Sequence, residues 1–372
     1  MPVVRRTNWQ ECAMANLLRI LPIDTLMFRD GRPFNQEDEG AGAAESLFPP
    51  PPPTLAGAVR LAIAQRAGFP KRDWPVDLVG DGVDWQDQET WLGTLAFGPL
   101  MMELGGEFLL PAPAHLGKDN QMALRLLHLP AEAEFASDWA MPDGGRVLYP
   151  RAPKGAKGFK ALEGHWLTFK GMEAVLEGNT PDQADLIRSD RLLRRESRVG
   201  IGVAQDSRRA NDGQLYTASF LRLCDEANFC LAIKGLPDSL SAFVQRLGGE
   251  HRQAEFRPDT LVTDLPSSPS GTGAYAAIAV SPVLLAEEPE PGARINGLPG
   301  ELVSACIPKP FMLGGWDSRT RGPLPLRPVI PAGVVFFMRC SGDELPPQGR
   351  TRVGLSTKWG FGHCLIGRWP QS

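Results

Sequence analysis

The 372-residue chain carries 39 Lys and Arg against 43 Asp and Glu, a formal net charge of −4, and 42% of its residues are apolar. These values predict one large folded domain or two smaller ones, and they argue against global disorder and against a general polyanion binder. With 40 Gly and 35 Pro, well above the usual combined share of about 12%, the chain is loop-rich. This excess of Gly and Pro excludes a helical bundle and a coiled coil. Because the glycines do not repeat regularly, it does not indicate a collagen either.

No apolar run reaches the length of a membrane span, and the first residues lack the apolar core of a signal peptide. The six cysteines are scattered, with no CxxC pair and no zinc-type spacing, which predicts reduced and mostly buried thiols. We therefore expect a cytoplasmic protein that uses no membrane, no metal and no cofactor.

Residues 1–13 carry no pattern, and they form either a flexible arm or an extension upstream of a native start at Met14. Apolar alternation then predicts a first strand over Leu17–Phe28. A run of prolines follows, and helical spacing predicts a helix over Leu55–Ala67 with Thr54 as its N-cap. We interpret the irregular, Trp-containing stretch 70–180 as a large insertion, with one short helix over Ala123–Leu129.

The most basic stretch is Arg188–Arg209, which holds seven arginines. Asn211-Asp212-Gly213 is a hairpin-type turn signal, so residues 188–223 are predicted to form a basic β-hairpin. A short helix over Leu240–Leu247 is predicted to end at Gly248-Gly249.

Short strands separated by Gly- and Pro-rich loops, with few helices, indicate an α+β fold. We expect an N-terminal domain over residues 14–250, which includes the insertion and the hairpin, and a C-terminal domain over residues 251–372. Residues 302–372 carry nine Lys and Arg against three Asp and Glu. A basic groove is therefore compatible with the acidic whole.

Three segments combine glycine with cationic or aromatic residues, which lets backbone approach a phosphate or a base. They are Arg198-Val199-Gly200-Ile201-Gly202, Gly314-Gly315-Trp316-Asp317 and the closing loop Gly354–Gly367, which contains Lys358. Each is equally compatible with an ordinary turn. None matches a P-loop or a dinucleotide fingerprint, because no helix follows the glycines.

Catalytic signals are sparse. The sequence has neither HExxH nor GxSxG, and the five histidines show no metal-ligand spacing. His363 is the one histidine in a glycine-rich loop, where it is either a plain polar residue or a general acid or base acting on an RNA 2′-hydroxyl. The acidic run Glu37-Asp38-Glu39 is typical of a solvated loop.

Taken in order, several motifs resemble one family, the third subunit of the type III-B CRISPR Cmr effector complex, within the RAMP superfamily. The matching segments are Pro22–Phe34, Pro52–Arg60, Glu196–Gly202, Gly213–Tyr216, Leu247–Glu250, Gly314–Asp317, Ile330–Phe337 and the closing glycine-rich loop. The resemblance runs from residue 17 to 369, except over the stretch 70–180.

This resemblance implies two ferredoxin-like (RRM-like) domains, a basic β-hairpin insertion and a C-terminal glycine-rich loop. It also implies a non-catalytic RNA-binding subunit in antiviral defence, which caps the 5′ repeat-derived handle of the CRISPR RNA. The implied protein partners are the large polymerase-like Cmr subunit and the neighbouring backbone RAMP subunit, and target RNA is an indirect partner.

The implied RNA-binding residues combine basic, glycine and aromatic positions. They are Arg194, Arg195, Arg198, Gly200, Gly202, Arg208, Arg209, Gly248, Gly249, Arg252, Gly314, Gly315, Trp316, Lys358, Gly360, Gly362 and His363. Two alternatives stay open: a metal-independent endoribonuclease that processes CRISPR RNA with His363, and an assembly scaffold whose RNA contacts come from its neighbours.

Overall fold

The structure is a computed structural model that describes residues 16–29, 31, 45–69, 74–82, 84–87, 90–130, 147–203, 210–260, 264–268, 273–317 and 321–369. Up to residue 188 the elements are β1 (Asn16–Pro22), α1 (Pro52–Arg66), α2 (Val76–Val79), β2 (Ala96–Leu104), β3 (Glu107–Pro111), β4 (Leu116–Lys118), β5 (Leu124–Leu126), β6 (Lys160–Ala161), β7 (His165–Thr168), α3 (Phe169–Leu176) and β8 (Leu186–Arg188). The remaining strands are β9 (Leu193–Val203), β10 (Ala210–Leu223), β11 (Ala227–Lys234), β12 (Phe243–Arg246), β13 (Gln253–Thr260), β14 (Ala274–Ala279), β15 (Glu301–Cys306), β16 (Phe311–Asp317), β17 (Gly322–Val329), β18 (Val335–Arg339), β19 (Arg350–Arg352) and β20 (His363–Gly367).

The larger sheet has eight strands in the order β12-β13-β1-β11-β2-β3-β7-β8. Strands β1 and β2 both pair antiparallel with β11, so they run parallel to each other, and α1 lies in the connection between them. Side chains alternate along β1: Leu18 and Ile20 point into the core beneath α1, whereas Leu17 joins the core on the opposite face. The sheet is therefore buried on both faces.

Helix α1 begins three residues earlier than predicted, at Pro52, and its N-cap is Pro51 rather than Thr54. Prolines fit the first turn of a helix because the N–H groups that they lack have no intrahelical acceptor there. The helix buries Leu55, Val59 and Ile63 against the larger sheet.

A second sheet of five strands has the order β15-β18-β14-β20-β19. One of its faces, which carries Ile278, Val335 and Phe337, packs on the larger sheet together with α3. The other face closes over a separate core that includes Phe336 and Ile366. The two sheets therefore stack face to face, and the mostly β composition with few helices fits the predicted α+β class.

Both sheets place their strands in the same order along the chain. When the four strands of each set are numbered along the chain, their spatial order is 4-1-3-2. The two sets are β13-β1-β11-β2 in the larger sheet and β20-β14-β18-β15 in the second sheet. The last strand of the larger sheet along the chain is β13, which lies beyond residue 250. It belongs to this sheet because it pairs with every residue of β1. The change from one sheet to the other therefore falls between residues 260 and 274.

Two expectations for the stretch 70–180 are wrong. It is not simply an insertion, because β2, β3 and β7 within it are strands of the larger sheet. The helix predicted over Ala123–Leu129 is instead strand β5, which pairs with β4.

The helix predicted over Leu240–Leu247 is also wrong, because Phe243–Arg246 forms strand β12. Its side chains alternate between buried and exposed, and Phe243 stacks on Phe256 of β13 with ring centroids 4.8 Å apart. This cross-strand pair stabilises the strand. None of the helices in the described part of the chain is long and apolar enough to cross a bilayer.

Candidate nucleic-acid interface

Strands β9 and β10 form a long two-stranded hairpin outside the two large sheets. The predicted basic hairpin is therefore present in the described backbone, although Asn211-Asp212-Gly213 lies within β10 and not at the turn. An irregular register between Ala210 and Leu215 replaces the predicted turn. The hairpin is attached at its base, where Leu26 and Leu221 exchange backbone hydrogen bonds of 2.8 Å.

The predicted arginines lie along β9. Arg194 and Arg195 are exposed, and Arg195 Nη1 donates a hydrogen bond of 2.7 Å to the Ser46 carbonyl. Gly200 pairs with Tyr216, and Gly202 lies next to the last residue of the strand. Arg208 and Arg209 lie outside the described residues.

Ion pairs at the base of the hairpin join elements far apart in sequence. Asp24 accepts hydrogen bonds of 2.9 Å from Arg222 and 3.0 Å from Arg252, and it lies 3.7 Å from Arg198. Glu196 accepts from Arg198 at 3.1 Å and also from Arg222. We call these five residues, Asp24, Glu196, Arg198, Arg222 and Arg252, the arginine cluster.

An aromatic ring holds two members of the arginine cluster in place. The guanidinium carbon of Arg198 lies 4.8 Å from the centroid of the Phe220 ring, and that of Arg252 lies 4.7 Å from the same centroid. Phe220 itself is buried with Met27 and Ala218. Cation–π attraction therefore orients both guanidinium groups without using their hydrogen-bond donors.

Hydrogen bonds from Arg222 and Arg198 lower the pKa of Glu196. The pKa of Asp24 is also lowered: partial burial opposes the shift, but the hydrogen bond and the charge of Arg222 outweigh it. Both carboxylates are consequently ionised at neutral pH. Together with Arg194, which shares a face of β9 with Glu196 and Arg198, the region holds four arginines against two carboxylates, an excess of positive charge on that face.

The predicted glycines of other segments contact the protein itself. Gly249 donates a backbone hydrogen bond of 2.8 Å to the Met27 carbonyl, and a Cβ added to Gly248 would lie 2.2 Å from the same oxygen. This turn therefore supports the segment beneath Phe220, and it holds Arg252 in its place within the arginine cluster.

The closing glycine-rich loop joins the two halves of the molecule. Its residues Trp359 and Phe361 are buried in the core beneath α1, where Phe361 stacks on Trp85 with ring centroids 5.2 Å apart. A Cβ on Gly360 would lie 3.1 Å from the Gly98 carbonyl, and one on Gly362 would lie 1.9 Å from the Val353 carbonyl. Neither glycine presents open backbone to an outside ligand.

His363 begins strand β20 at the junction with the larger sheet. Its Nε2 lies 3.1 Å from the Phe97 carbonyl, and its backbone N–H donates to Ser281 Oγ at 2.8 Å. Burial lowers its pKa to about 3, with help from the charge of Arg352. The ring is therefore neutral at physiological pH. Its Nε2–H donates a hydrogen bond to the Phe97 carbonyl, and this bond connects the two sheets.

Trp316 and Lys358 lie near a group of tryptophans. Trp316 on β16 is 65% exposed, and Lys358 Nζ lies 5.6 Å from the centre of the Trp91 ring. Gly314 accepts a hydrogen bond of 3.2 Å from Trp85 Nε1, and a Cβ on Gly315 would lie 3.2 Å from the same nitrogen. The absence of a Cβ at Gly315 therefore lets the indole of Trp85 approach strand β16.

Sequence reasoning missed Asp24, Glu196 and Arg222 as members of the arginine cluster and Phe220 as the ring that supports it. It also left the tryptophans of the stretch 70–180 without a role. A signal was available for Arg222, which shares a strand with Phe220 at a spacing of two and so faces the same side. Among the described residues, no group of three or more His, Cys, Asp or Glu comes together to hold a metal ion.

Comparison with known proteins gives several related matches. The CRISPR system CMR subunit Cmr3 of Saccharolobus solfataricus is 24% identical over 282 residues, which are 74% of this chain and 72% of that protein. A chain of Type III-B Cmr-beta bound to cognate target RNA covers 87% of this chain at 18% identity, with 86% of its own length and a TM-score of 0.49. A chain of the same complex with target RNA and AMPPnP covers 86% of both chains at 17% identity, with a TM-score of 0.48.

A family model adds coverage of nearly the whole sequence. The model described as CRISPR-associated protein (Cas_Cmr3) matches residues 18–369. This span includes both sheets, the basic hairpin and the closing glycine-rich loop. The chain therefore belongs to the Cmr3 family of CRISPR-associated proteins.

Proposed function

We propose that the protein is a non-catalytic RNA-binding subunit of a type III-B CRISPR effector complex, in which it caps the 5′ repeat-derived handle of the CRISPR RNA. Family membership supports the place in such a complex. The observation that carries RNA binding is the excess of arginines on the β9–β10 hairpin. In this proposal the large polymerase-like subunit and the neighbouring backbone RAMP subunit dock around the handle, and target RNA is reached indirectly.

The arginine cluster suits a phosphate backbone. Arginine presents a planar fork of donors that matches phosphate oxygens, and RNA affinity depends strongly on such contacts. Phe220 holds Arg198 and Arg252 from one side, so their positions are fixed before a ligand binds. A site that is ordered in advance loses less conformational entropy on binding.

Two ferredoxin-like domains are part of the same proposal. The strand order shared by β13-β1-β11-β2 and β20-β14-β18-β15 supports it, as does the α1 connection between parallel β1 and β2. On this view the N-terminal domain extends to β13, and the C-terminal domain begins near residue 273.

The endoribonuclease alternative gains no support from His363. Its Nε2–H is directed at the Phe97 carbonyl, and burial keeps the ring neutral. We therefore assign His363 to the connection between the sheets.

A salt titration tests the proposal. The purified chain is titrated with CRISPR RNA that carries its own repeat handle, and the logarithm of affinity is plotted against the logarithm of salt concentration. Arg194→Gln and Arg198→Gln should each reduce the slope by about 0.7 to 1, the value for one lost phosphate contact. Arg294→Gln is the matched control, since Arg294 forms an exposed ion pair with Glu344 away from the hairpin.

An unchanged slope in both hairpin variants would refute phosphate binding by this surface. A slope that changes equally in Arg294→Gln would show only a general effect of net charge. Crosslinking of the handle to this chain within the assembled complex separates RNA binding from a purely scaffolding role.

A further inference from the structure

A second site lies beside the closing glycine-rich loop, in an open cleft of about 230 Å³. We call it the tryptophan cleft, because four of its lining residues are Trp74, Trp85, Trp316 and Trp359, which stand with Gly57 and Arg60 of α1. Strand β16, helix α1 and the loop before β20 meet here. The lining thus comes from parts of the chain up to about 300 residues apart.

Arg60 places a positive charge in the wall of the tryptophan cleft. Its guanidinium lies between two indoles, 4.9 Å from the Trp74 ring centre and 5.2 Å from that of Trp359. It donates to the carbonyls of Val79 at 2.7 Å and Gly80 at 3.2 Å. Arg60 is only 2% exposed, and no carboxylate of the described residues forms an ion pair with it. The charge of Asp81 acts on Arg60 without forming an ion pair, so the cleft carries a positive charge that is only partly compensated.

Trp359 offers an unused hydrogen-bond donor. The residue is 4% exposed and lines the cleft, yet its Nε1–H has no hydrogen-bond partner among the described residues. A buried donor without an acceptor is unfavourable, so a ligand that brings an acceptor is favoured. Trp316, which is 65% exposed, presents an indole face to solvent at the same cleft.

We propose that the tryptophan cleft binds one unpaired nucleobase of single-stranded RNA. A base is planar and stacks on an indole face, and the carbonyl and ring-nitrogen acceptors on its edge suit the Trp359 donor. The positive charge of Arg60 attracts the phosphate that accompanies the base. A proline-rich peptide also suits tryptophan-lined grooves, but it does not use the charge of Arg60. This inference deepens the proposed function and rests on it.

The tryptophan cleft is within reach of an RNA strand that contacts the arginine cluster. Met27 packs against Phe220 behind the cluster, and the Gly31 N–H donates a hydrogen bond of 3.0 Å to the Met312 carbonyl on β16. Gly31 is four positions after Met27 in the chain, which limits the distance between their Cα atoms to about 15 Å. The handle can therefore place phosphates on the hairpin and one base in the cleft.

A coupling experiment tests the site. CRISPR RNAs carrying one abasic nucleotide at each handle position in turn are titrated against the wild-type chain and Trp316→Ala. One position should lose about tenfold in affinity with the wild type, equivalent to about 1.4 kcal/mol of base stacking. Trp316→Ala should lose about the same affinity for intact RNA and show no further loss at that position. Trp316→Phe, which keeps an aromatic face, should restore most of the binding.

A second variant blocks the cleft without removing a core residue. A Cβ at Gly57 enters open space, so Gly57→Met should leave the Tm unchanged or higher and weaken RNA binding as Trp316→Ala does. Trp91→Ala removes an indole that is 48% exposed and does not line the cleft, and it should bind RNA like the wild type.

The possible outcomes separate the two proposals. If the wild type fails to bind intact CRISPR RNA, the proposed function is wrong. If it binds and the abasic penalty persists in Trp316→Ala, or Gly57→Met binds normally, the base site alone is wrong. Loss of assembly with the other subunits at normal RNA affinity in Trp316→Ala would assign the cleft to a protein segment and overturn the inference.

Discussion

A single buried arginine shapes the N-terminal core of this protein. Arg60 lies on α1 among apolar residues, and its charge is accommodated by two backbone carbonyls and two indole faces. Burial lowers its pKa to about 10, although the charge of Asp81 opposes the shift. The guanidinium is therefore protonated at neutral pH. It joins α1 to α2 and to the closing loop through contacts that an apolar side chain cannot make.

Replacing this arginine should be costly. Arg60→Leu leaves the Val79 and Gly80 carbonyls without their donor and removes both cation–π contacts, so we expect the free energy of unfolding to fall by about 2–4 kcal/mol. Urea denaturation measures the change. Arg66→Leu is the control on the same helix, because Arg66 is exposed and, within the described part of the chain, contacts the Phe243 ring and the Ala242 carbonyl. Equal losses in both variants would show that Arg60 has no special role.

Gly362 sets the path of the closing loop. It has a φ of +69°, and a Cβ would lie 1.9 Å from the Val353 carbonyl. Gly362→Ala should therefore lower the free energy of unfolding by about 2–4 kcal/mol through strain and overlap. Gly57→Ala is the control, since α1 is helical there with open space around the new methyl group, and it should stabilise by about 0.5–1 kcal/mol. Similar unfolding midpoints for the two variants would contradict this account.

For single residues, the sequence indicates which positions have a special requirement but not what that requirement is. The sequence pattern predicts RNA contacts for Gly360 and Gly362 of the closing loop, whereas both glycines pack inside the protein beside the buried Trp359 and Phe361. The pattern of a ligand-binding loop and that of a buried loop are alike, because both need backbone in close approach to another group. Only the packing of β2 against the closing loop shows that this loop is a buried one and not a ligand-binding one.

Among the elements, the basic hairpin was the easiest to predict. Its strands are adjacent in the chain, so alternation and arginine content were sufficient. Local spacing predicts helices where β5 and β12 lie, because the partners of these strands are outside a short sequence window. Strand β12 is stabilised by the stack of Phe243 on Phe256. Likewise, the arginine cluster combines Asp24 with side chains about 170 to 230 residues away. Non-local pairing overrides local propensity in such cases.

The carboxylates of the hairpin lead to a prediction opposite to that for the arginines. Replacing a carboxylate should strengthen RNA binding, whereas replacing an arginine should weaken it. Glu196→Gln removes one of two carboxylates in the arginine cluster and releases donors of Arg198 and Arg222. We expect tighter binding of handle RNA at low salt and a salt slope steeper by up to about one. Glu255→Gln, which breaks an ion pair with Arg257 outside the hairpin, is the matched control. Weaker binding by Glu196→Gln would mean that Glu196 mainly positions the arginines.

For the whole molecule, the net charge of −4 is a sum over regions that differ in charge and in role. The hairpin concentrates arginines, and the two stacked sheets bury apolar side chains on both faces of the larger one. Composition indicated a folded α+β protein, and the ordered motifs indicated the family. The stacking of the sheets was not predictable, since it depends on apolar faces contributed by strands from both halves of the chain. Those same interfaces bury His115 and half-bury His363.

These two histidines should make stability depend on pH. His115 is 1% exposed, its ring nitrogens have no hydrogen-bond partner among the described residues, and its ring meets Phe337 edge-on. Burial lowers the pKa of His115 and of His363 to about 3. The unfolded chain, with histidine pKa values near 6.5, thus binds more protons between pH 6.5 and 3. Their contribution is complete above pH 6.5 and is lost as the pH falls through that window.

Each histidine should therefore cost up to about 1.4 kcal/mol for each pH unit below 6.5. Urea denaturation between pH 7.5 and 5 measures the slope above the range in which the lowered pKa values of Glu196 and Asp24 matter. His115→Leu should remove one proton from the slope without leaving an unpaired polar group, and His363→Gln should remove another. His251→Asn changes an exposed histidine and serves as the control. If stability is flat from pH 7.5 to 5, or if His115→Leu leaves the slope unchanged, the two histidines are hydrated in solution and do not link the sheets in their neutral form.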